Sequence, residues 1–384
     1  MGELLNRMMA REALPLWGLA AVWVTSLLVV GLVVAWWRAK QPPPPPVYHL
    51  TLDPLATPPT GYDWTHAPEP AFPIPPYARH LAGVKLVIDP GHGGRASRRG
   101  WKSGPTGLRE EVVNLRVALY LREFLEAVGA DVVLTRTDDV YLAEADADDL
   151  RLRAELANRH RADLLLSIHH NAADNPAVNH TLVFYHDTPD HSPASLAAAR
   201  HLLAGLGEAL RLPQHSASPL VSDKTIHANN GFALLRQAEV PAVLSEASFF
   251  TNPDEEQRLR DPAYNRREAY GLFVGLARWA HAGLPRVRLY GAELVRPGGV
   301  VTVALDDGLS GRPGVPRYPK IVADSLVVRL DGRPVVGQYD AAAARLAVPL
   351  GPEVGRGRHE LRVDFTTLTG QHVLHPRLAF EVGE

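Results

Sequence analysis

Between Gly83 and about Gly283, short apolar runs alternate with longer stretches of helical periodicity. This alternation constrains the fold more than any other feature of the chain. "VKLVID" (Val84–Asp89), "DVVLTR" (Asp131–Arg136), "ADLLLSI" (Ala162–Ile168), "TLVFYH" (Thr181–His186) and "PAVLSE" (Pro241–Glu246) have strand length and are largely apolar. Between the first two, Val113, Val117, Tyr120, Leu121, Phe124 and Val128 recur at helical spacing from Glu110 onward, and Gly129 closes the run. Further helices are read in "RLRAELANRHR", "SLAAARHLLAGLGEAL" and "NRREAYGLFVGLARWA". Strands that are apolar on both faces need cover on both faces. The pattern therefore predicts an α/β fold, a twisted and mainly parallel sheet flanked by helices.

The two ends of the chain read differently. From Pro285 to Glu384, "VVTVAL", "SLVVRLDGRPVV", "ARLAVPL" and "HELRVDF" are short strands separated by Gly, Pro and Asp turns, the pattern of a small all-β, Ig-like sandwich. At the other end, Ala13 to Trp37 contains no charged residue and exceeds the ~20 residues that span a bilayer. Trp36, Trp37, Arg38 and Lys40 close it as an interfacial border, which predicts a transmembrane helix rather than a cleaved signal. "QPPPPPV" follows, and prolines stay dense to Pro76, which suits an extended spacer. The expected organisation is an anchor over residues 1–40, a proline-rich linker over 41–80, an α/β domain over 81–284 and a β-sandwich over 285–384. A net charge of -2 offers no basic field for nucleic acid, and the absence of cysteine excludes thiolate ligands and nucleophiles.

Chemistry collects at strand ends. One strand ends in "IDPGHGG" with His92, a second in "SIHHN" with His169, and a third at Glu246 within "LSEASFFTN". In a parallel sheet the carboxyl ends share one edge, where open α/β sheets bind ligands. Glu110, at the start of the helix that follows the His92 loop, joins them. Two imidazoles and two carboxylates then face one crevice. Two histidines and one carboxylate make a catalytic zinc site, and a further carboxylate serves as general base.

"VIDPGHGG", "GLREEVVNL", "ANRHRADLLLSIHHNA" and "PAVLSEASFFTN", in this order, resemble the zinc-dependent N-acetylmuramoyl-L-alanine amidases of the amidase-3 family. The resemblance covers about Val84 to Ala280. It implies that His92, Glu110 and His169 hold Zn2+, that Glu246 is the catalytic glutamate, and that the fold is a mixed sheet with flanking helices. It implies hydrolysis of the amide between N-acetylmuramic acid and the L-alanine of the stem peptide. The implied partners are peptidoglycan, the membrane through the N-terminal anchor, and an activator or divisome-type protein. Because that substrate lies outside the cytoplasmic membrane, the chain is expected to be a single-pass protein with its catalytic domain on the periplasmic or wall side. Glu111 stands where the family often has lysine, and the loop "RASRRGWKSGPT" is longer and more basic than usual. His170 is read as a residue behind the site or on the surface, His227 as an ordinary loop histidine, and Arg136 and Arg153 as salt-bridge formers. The segment between His169 and Glu246 is too short for a helix that plugs the site. The competing readings are a non-catalytic wall-binding scaffold of this fold and a zinc hydrolase acting on another amide.

Overall fold

The computed structural model describes residues 72–94, 103–188, 192–212, 214, 219–228, 230–291, 293–310, 312 and 320–383. The apolar run Ala13–Trp37 and the linker up to residue 71 lie outside the described residues. Among the described residues no helix is long and apolar enough to cross a membrane.

The first half alternates as its sequence requires. The elements are β1 (Lys85–Pro90), α1 (Glu110–Glu126), β2 (Asp131–Leu134), α2 (Asp146–His160), β3 (Leu164–Asn171), β4 (Leu182–Tyr185), α3 (Ser192–Leu210), β5 (Leu220–Ser222), α4 (Ala233–Gln237), β6 (Ala242–Phe249), α5 (Pro253–Arg260) and α6 (Pro262–His281). They build a six-stranded sheet in the order β2-β1-β3-β6-β4-β5. All pairings are parallel except β4 with β6, so the sheet is mixed.

Side chains leave alternate faces of each strand. Leu86, Ile88, Leu164, Leu166, Ile168 and Val243 therefore join the core beneath α1, α3 and α6. Val87, Leu165 and Leu244 pack on the other face against Ala154 and Ala157 of α2 and Leu234 and Leu235 of α4. Three layers result, with β1, β3 and β6 side by side at the centre. Residues 72–81, read as the end of the spacer, belong to this unit. Phe72 meets Phe124 edge-to-face and Tyr270 at a tilt, and a 3-10 helix at Pro76–Leu81 buries Ala78 and Leu81 completely.

The second half forms two β-sheets. Its strands are β7 (Arg286–Leu289), β8 (Leu294–Val295), β9 (Val300–Asp306), β10 (Val327–Leu330), β11 (Arg333–Pro334), β12 (Gln338–Asp340), β13 (Arg345–Pro349), β14 (Gly357–Asp364) and β15 (Arg377–Val382). The sheets run β11-β10-β14-β15-β8 and β12-β13-β9-β7, and they share a core that includes Val303, Leu346, Leu361 and Val363. "LDGRPV" is the expected hairpin: β10 and β11 pair across Asp331 and Gly332, both at positive φ. The halves are tied together. Leu374 is buried in the α/β core, Gln371 Nε2 lies 3.2 Å from His201 Nε2, and Asp163 meets both Arg286 (2.8 Å) and His375 (3.2 Å).

Candidate metal centre

The loop after β1 is shaped around one histidine. His92 sits in the left-handed region at φ 58°, which a non-glycine residue occupies at a cost of roughly 1–2 kcal/mol. Two buried arginines hold the turn. Arg153 Nη2 donates to His92 O at 2.7 Å and its Nη1 to Pro90 O at 3.0 Å. Arg136 donates to Pro90 O at 2.8 Å and to Gly91 O at 3.0 Å. Gly91 is glycine because the His169 ring lies over it; a Cβ there would stand 2.1 Å from His169 Nε2.

His169 arrives from β3, the next strand, and Glu110 from the first turn of α1. Helix α1 has no side-chain cap, and Glu110 and Glu111 occupy its positive end. The turn before it is fixed by the Glu256 carboxylate of α5, which accepts from Thr106 N and Leu108 N at 3.0 Å. The Glu110 carboxylate then faces both imidazoles. Its Oε1 is 3.1 Å from His169 Nδ1 and its Oε2 3.2 Å from His92 Nε2. One donor atom from each of His92, Glu110 and His169 lies within 4.8 Å of the others.

Electrostatics agree with the geometry. Burial pushes the Glu110 carboxyl up, but His92 and His169 overcome it and hold the group well below the usual carboxylate range. Burial lowers His169 despite the pull of Glu110, so its imidazole favours the neutral form that binds metal. Among the described residues Glu110 Oε2 is buried with no hydrogen bond of good geometry and only His92 Nε2 beside it, at 3.2 Å. An acceptor left unserved beside two imidazole nitrogens is what a cation completes. Two nitrogens and one carboxylate oxygen suit zinc with an open fourth position.

His92 and His169 border a cavity of about 640 Å³ on the α2–α4 side of the sheet, with the buried Glu110 carboxylate behind them. Glu246 lines it from β6, as register partner of His169. Tyr141, Asp146, His227, Asn230 and Arg236 contribute to the walls.

A sequence profile of the family described as N-acetylmuramoyl-L-alanine amidase matches residues 86–278, half of the chain. The chain belongs to this family. The amidase is 29% identical over 242 residues to N-acetylmuramoyl-L-alanine amidase AmiA of Escherichia coli (strain K12), covering 54% of this chain and 80% of that one. It is 30% identical over 214 residues to the germination-specific N-acetylmuramoyl-L-alanine amidase of Bacillus subtilis (strain 168), covering 53% of this chain and 83% of that one. A solved structure, AmiC2 of Nostoc punctiforme, is 28% identical and covers 52% of this chain and 98% of that one, with a TM-score of 0.42. The reaction is hydrolysis of the amide that joins N-acetylmuramic acid to L-alanine in peptidoglycan.

The structure brings all four residues singled out in the sequence to one place. His170 points to the opposite face, as alternation requires, and is buried rather than on the surface. His227 lines the cavity, against the expectation of an ordinary loop residue, because Asp223 accepts from Phe232 N at 2.8 Å and folds that loop back. Arg153 forms the expected ion pairs, with Asp89 at 2.8 Å and Asp149 at 2.9 Å. Arg136 does not: among its described contacts it serves backbone carbonyls. Burial, aided by the Arg153 charge, lowers it to about 10. The amidase's longest helix between His169 and Glu246, α3, packs on α6 across the sheet from the cavity. Asn114 escaped the sequence reading. Its amide lies 3.3 Å from Glu110 Oε1 and 3.2 Å from Gly91 O, and its place four residues after Glu110 on one helical face was the available signal.

Proposed function

We propose that His92, Glu110 and His169 hold a catalytic zinc ion and that Glu246 is the general base and acid of the amidase. The observation that carries this is the meeting of three donor atoms within 4.8 Å at the edge of a cavity that Glu246 also lines. A zinc ion held by these three residues would supply Lewis-acid polarisation of the lactyl carbonyl and would lower the pKa of a nearby water toward neutrality. Glu246 takes the proton from the attacking water. It then delivers that proton to the amine nitrogen of L-alanine, so the peptide leaves as a free amine. Arg136 and Arg153 fix the carbonyls of Pro90, Gly91 and His92, which keeps His92 aimed across the cavity. The 640 Å³ cavity is roomy enough for a glycopeptide segment rather than a single residue.

The same reading extends to the cell. The uncharged run Ala13–Trp37 and the proline-rich stretch after it support a tethered enzyme, anchored in the cytoplasmic membrane with its catalytic domain toward the wall. The Ig-like β half is read as a module that packs on the catalytic half.

A chain beginning just before Phe72, which keeps the 3-10 helix at Pro76–Leu81, is incubated with peptidoglycan, with zinc and with chelator, and the fragments are weighed by mass spectrometry. Stem peptides beginning at L-alanine, released with zinc and lost with chelator and in Glu246→Ala, are expected. Fragments cut within the stem would make it a peptidase. Wall binding by zinc-loaded protein without any release would favour the scaffold reading.

A further inference from the structure

We propose that His170, its ring held by Glu268, is a positioning residue that fixes the Asn114 amide, and through it the Glu110 carboxylate, in the orientation that receives zinc. The inference rests on the zinc reading above.

Four side chains form a continuous hydrogen-bonded line behind the metal centre. Glu268 Oε2, on α6, is 2.9 Å from His170 Nε2. His170 Nδ1 is 2.8 Å from Asn114 Oδ1. Asn114 Nδ2 reaches Gly91 O and Glu110 Oε1. The His170 backbone N–H also donates to Glu110 Oε1, at 3.2 Å. The His170 and Glu268 side chains are 0% exposed, so water cannot substitute for a missing partner.

Donor and acceptor chemistry gives the line a direction. Gly91 O and the ionised Glu110 carboxylate only accept, so the Asn114 NH2 must face them and its oxygen must face His170. That oxygen only accepts, so His170 Nδ1 must carry a hydrogen. A flipped Asn114 would set its carbonyl against the Glu110 carboxylate and against Gly91 O. Glu268 anchors the far end. Its other oxygen, Oε1, is buried with no hydrogen-bond partner among the described residues, so the imidazole is the contact that holds the carboxylate there. Three elements distant in sequence, α1, β3 and α6, thereby set the direction of one zinc ligand. Partners of this kind are typically worth about 10–100-fold in metal affinity.

Two substitutions separate positioning from packing. In His170→Gln the amide falls near the Nε2 position; it keeps Glu268 paired but leaves Asn114 Oδ1 without its donor. In His170→Asn combined with Glu268→Leu the amide falls near the Nδ1 position; it keeps the donor to Asn114 and removes the buried charge. Zinc affinity of the full chain is measured by competition with a chromophoric chelator, and thermal unfolding is followed on the zinc-free proteins. His170→Gln is expected to weaken zinc binding about tenfold or more while unfolding near the wild-type temperature. The double variant is expected to bind zinc within about threefold of wild type even where its stability drops. Wild-type affinity in His170→Gln overturns the proposal by itself, as does affinity that follows stability across the set. His92→Ala is the control. If the wild type binds no zinc, or His92→Ala binds it equally well, the zinc reading has failed rather than this one.

Discussion

His169 and Glu246 are register partners on the adjacent parallel strands β3 and β6. Partners in register leave the same face of a sheet, so the His169 imidazole and the Glu246 carboxylate stand side by side at the cavity. In the proposed mechanism Glu246 serves a water beside the three proposed ligands and is not itself one of them. Glu246→Gln keeps the shape and removes the basicity. It is expected to lower kcat by ~10²–10⁴-fold while bound zinc, measured by atomic emission, stays at the wild-type level. Loss of zinc in this variant would make Glu246 a ligand instead.

Gly91→Ala tests the crowding over β1. Gly91 has no positive φ to lose, so the added methyl acts only through contact with the His169 ring, 2.1 Å from where its Cβ would stand. The neighbouring atom belongs to a ring braced by Glu110, so the ring itself must move. Zinc affinity is expected to fall at least about tenfold, the range seen when a ligand loses its orientation. Isothermal titration with zinc, beside the circular dichroism of the apo protein, measures this.

Metal removal should leave a folded protein. The three proposed ligands stand on β3, on α1 and on the turn after β1, elements whose cores are apolar and closed without an ion. Chelation is expected to abolish amide hydrolysis and leave the far-ultraviolet spectrum intact. Zinc at a hundredfold excess over its Kd should add about 2.7 kcal/mol to stability. Collapse of the secondary structure on chelation would show that the ion is a folding element.

The sequence made the site readable because each candidate side chain sits beside a change of composition: His92 follows an apolar run ended by Asp-Pro, and Glu246 follows another. The strand ends expected at His169 and Glu246 lie further on, since β3 continues to Asn171 and β6 to Phe249. What could not be read depends on partners distant along the chain. His170 was left between a place behind the site and one on the surface because Glu268, which pairs with it, is 98 positions away on another helix. Arg136 was assigned carboxylate partners, yet its bonds go to backbone carbonyls that no side-chain pattern reveals. Strand β5 spans three residues and has no periodicity to detect. The direction of β4, antiparallel to β6, is set by packing and not by its own apolar residues. Helix α2 begins at Asp146, several residues before the first apolar repeat, because its first turn is acidic and suited to the helix dipole.

Acid stability follows from Asp89. Burial raises its carboxyl, but Arg153, Ser167 and Thr135 more than offset this and bring it to about 2, against 3.8 when free. A carboxyl depressed in the fold stabilises fully above its free value, and that contribution is lost as pH falls through 2. The difference is worth about 2 kcal/mol. Urea unfolding of the zinc-free protein between pH 5 and pH 2 should show a steeper loss in the wild type than in Asp89→Asn. Parallel profiles would remove Asp89 from the account.

The β half contributes to the stability of the catalytic half. Leu374 belongs to the apolar core of the α/β layers, with its N–H bonded to Pro285 O at 3.1 Å. Thr369 Oγ1 donates to Ala282 O at 2.8 Å, just past α6. A module tethered only by its linker would leave the amidase indifferent to these changes. Leu374→Ala is instead expected to destabilise the α/β half by about 2–4 kcal/mol through the cavity it opens. The check is hydrogen exchange on α6 and on the 3-10 helix at Pro76–Leu81, which pack against each other in that core. Faster exchange there supports a shared core. Unchanged exchange, with loosening confined to β14 and β15, would make the β half an independent body.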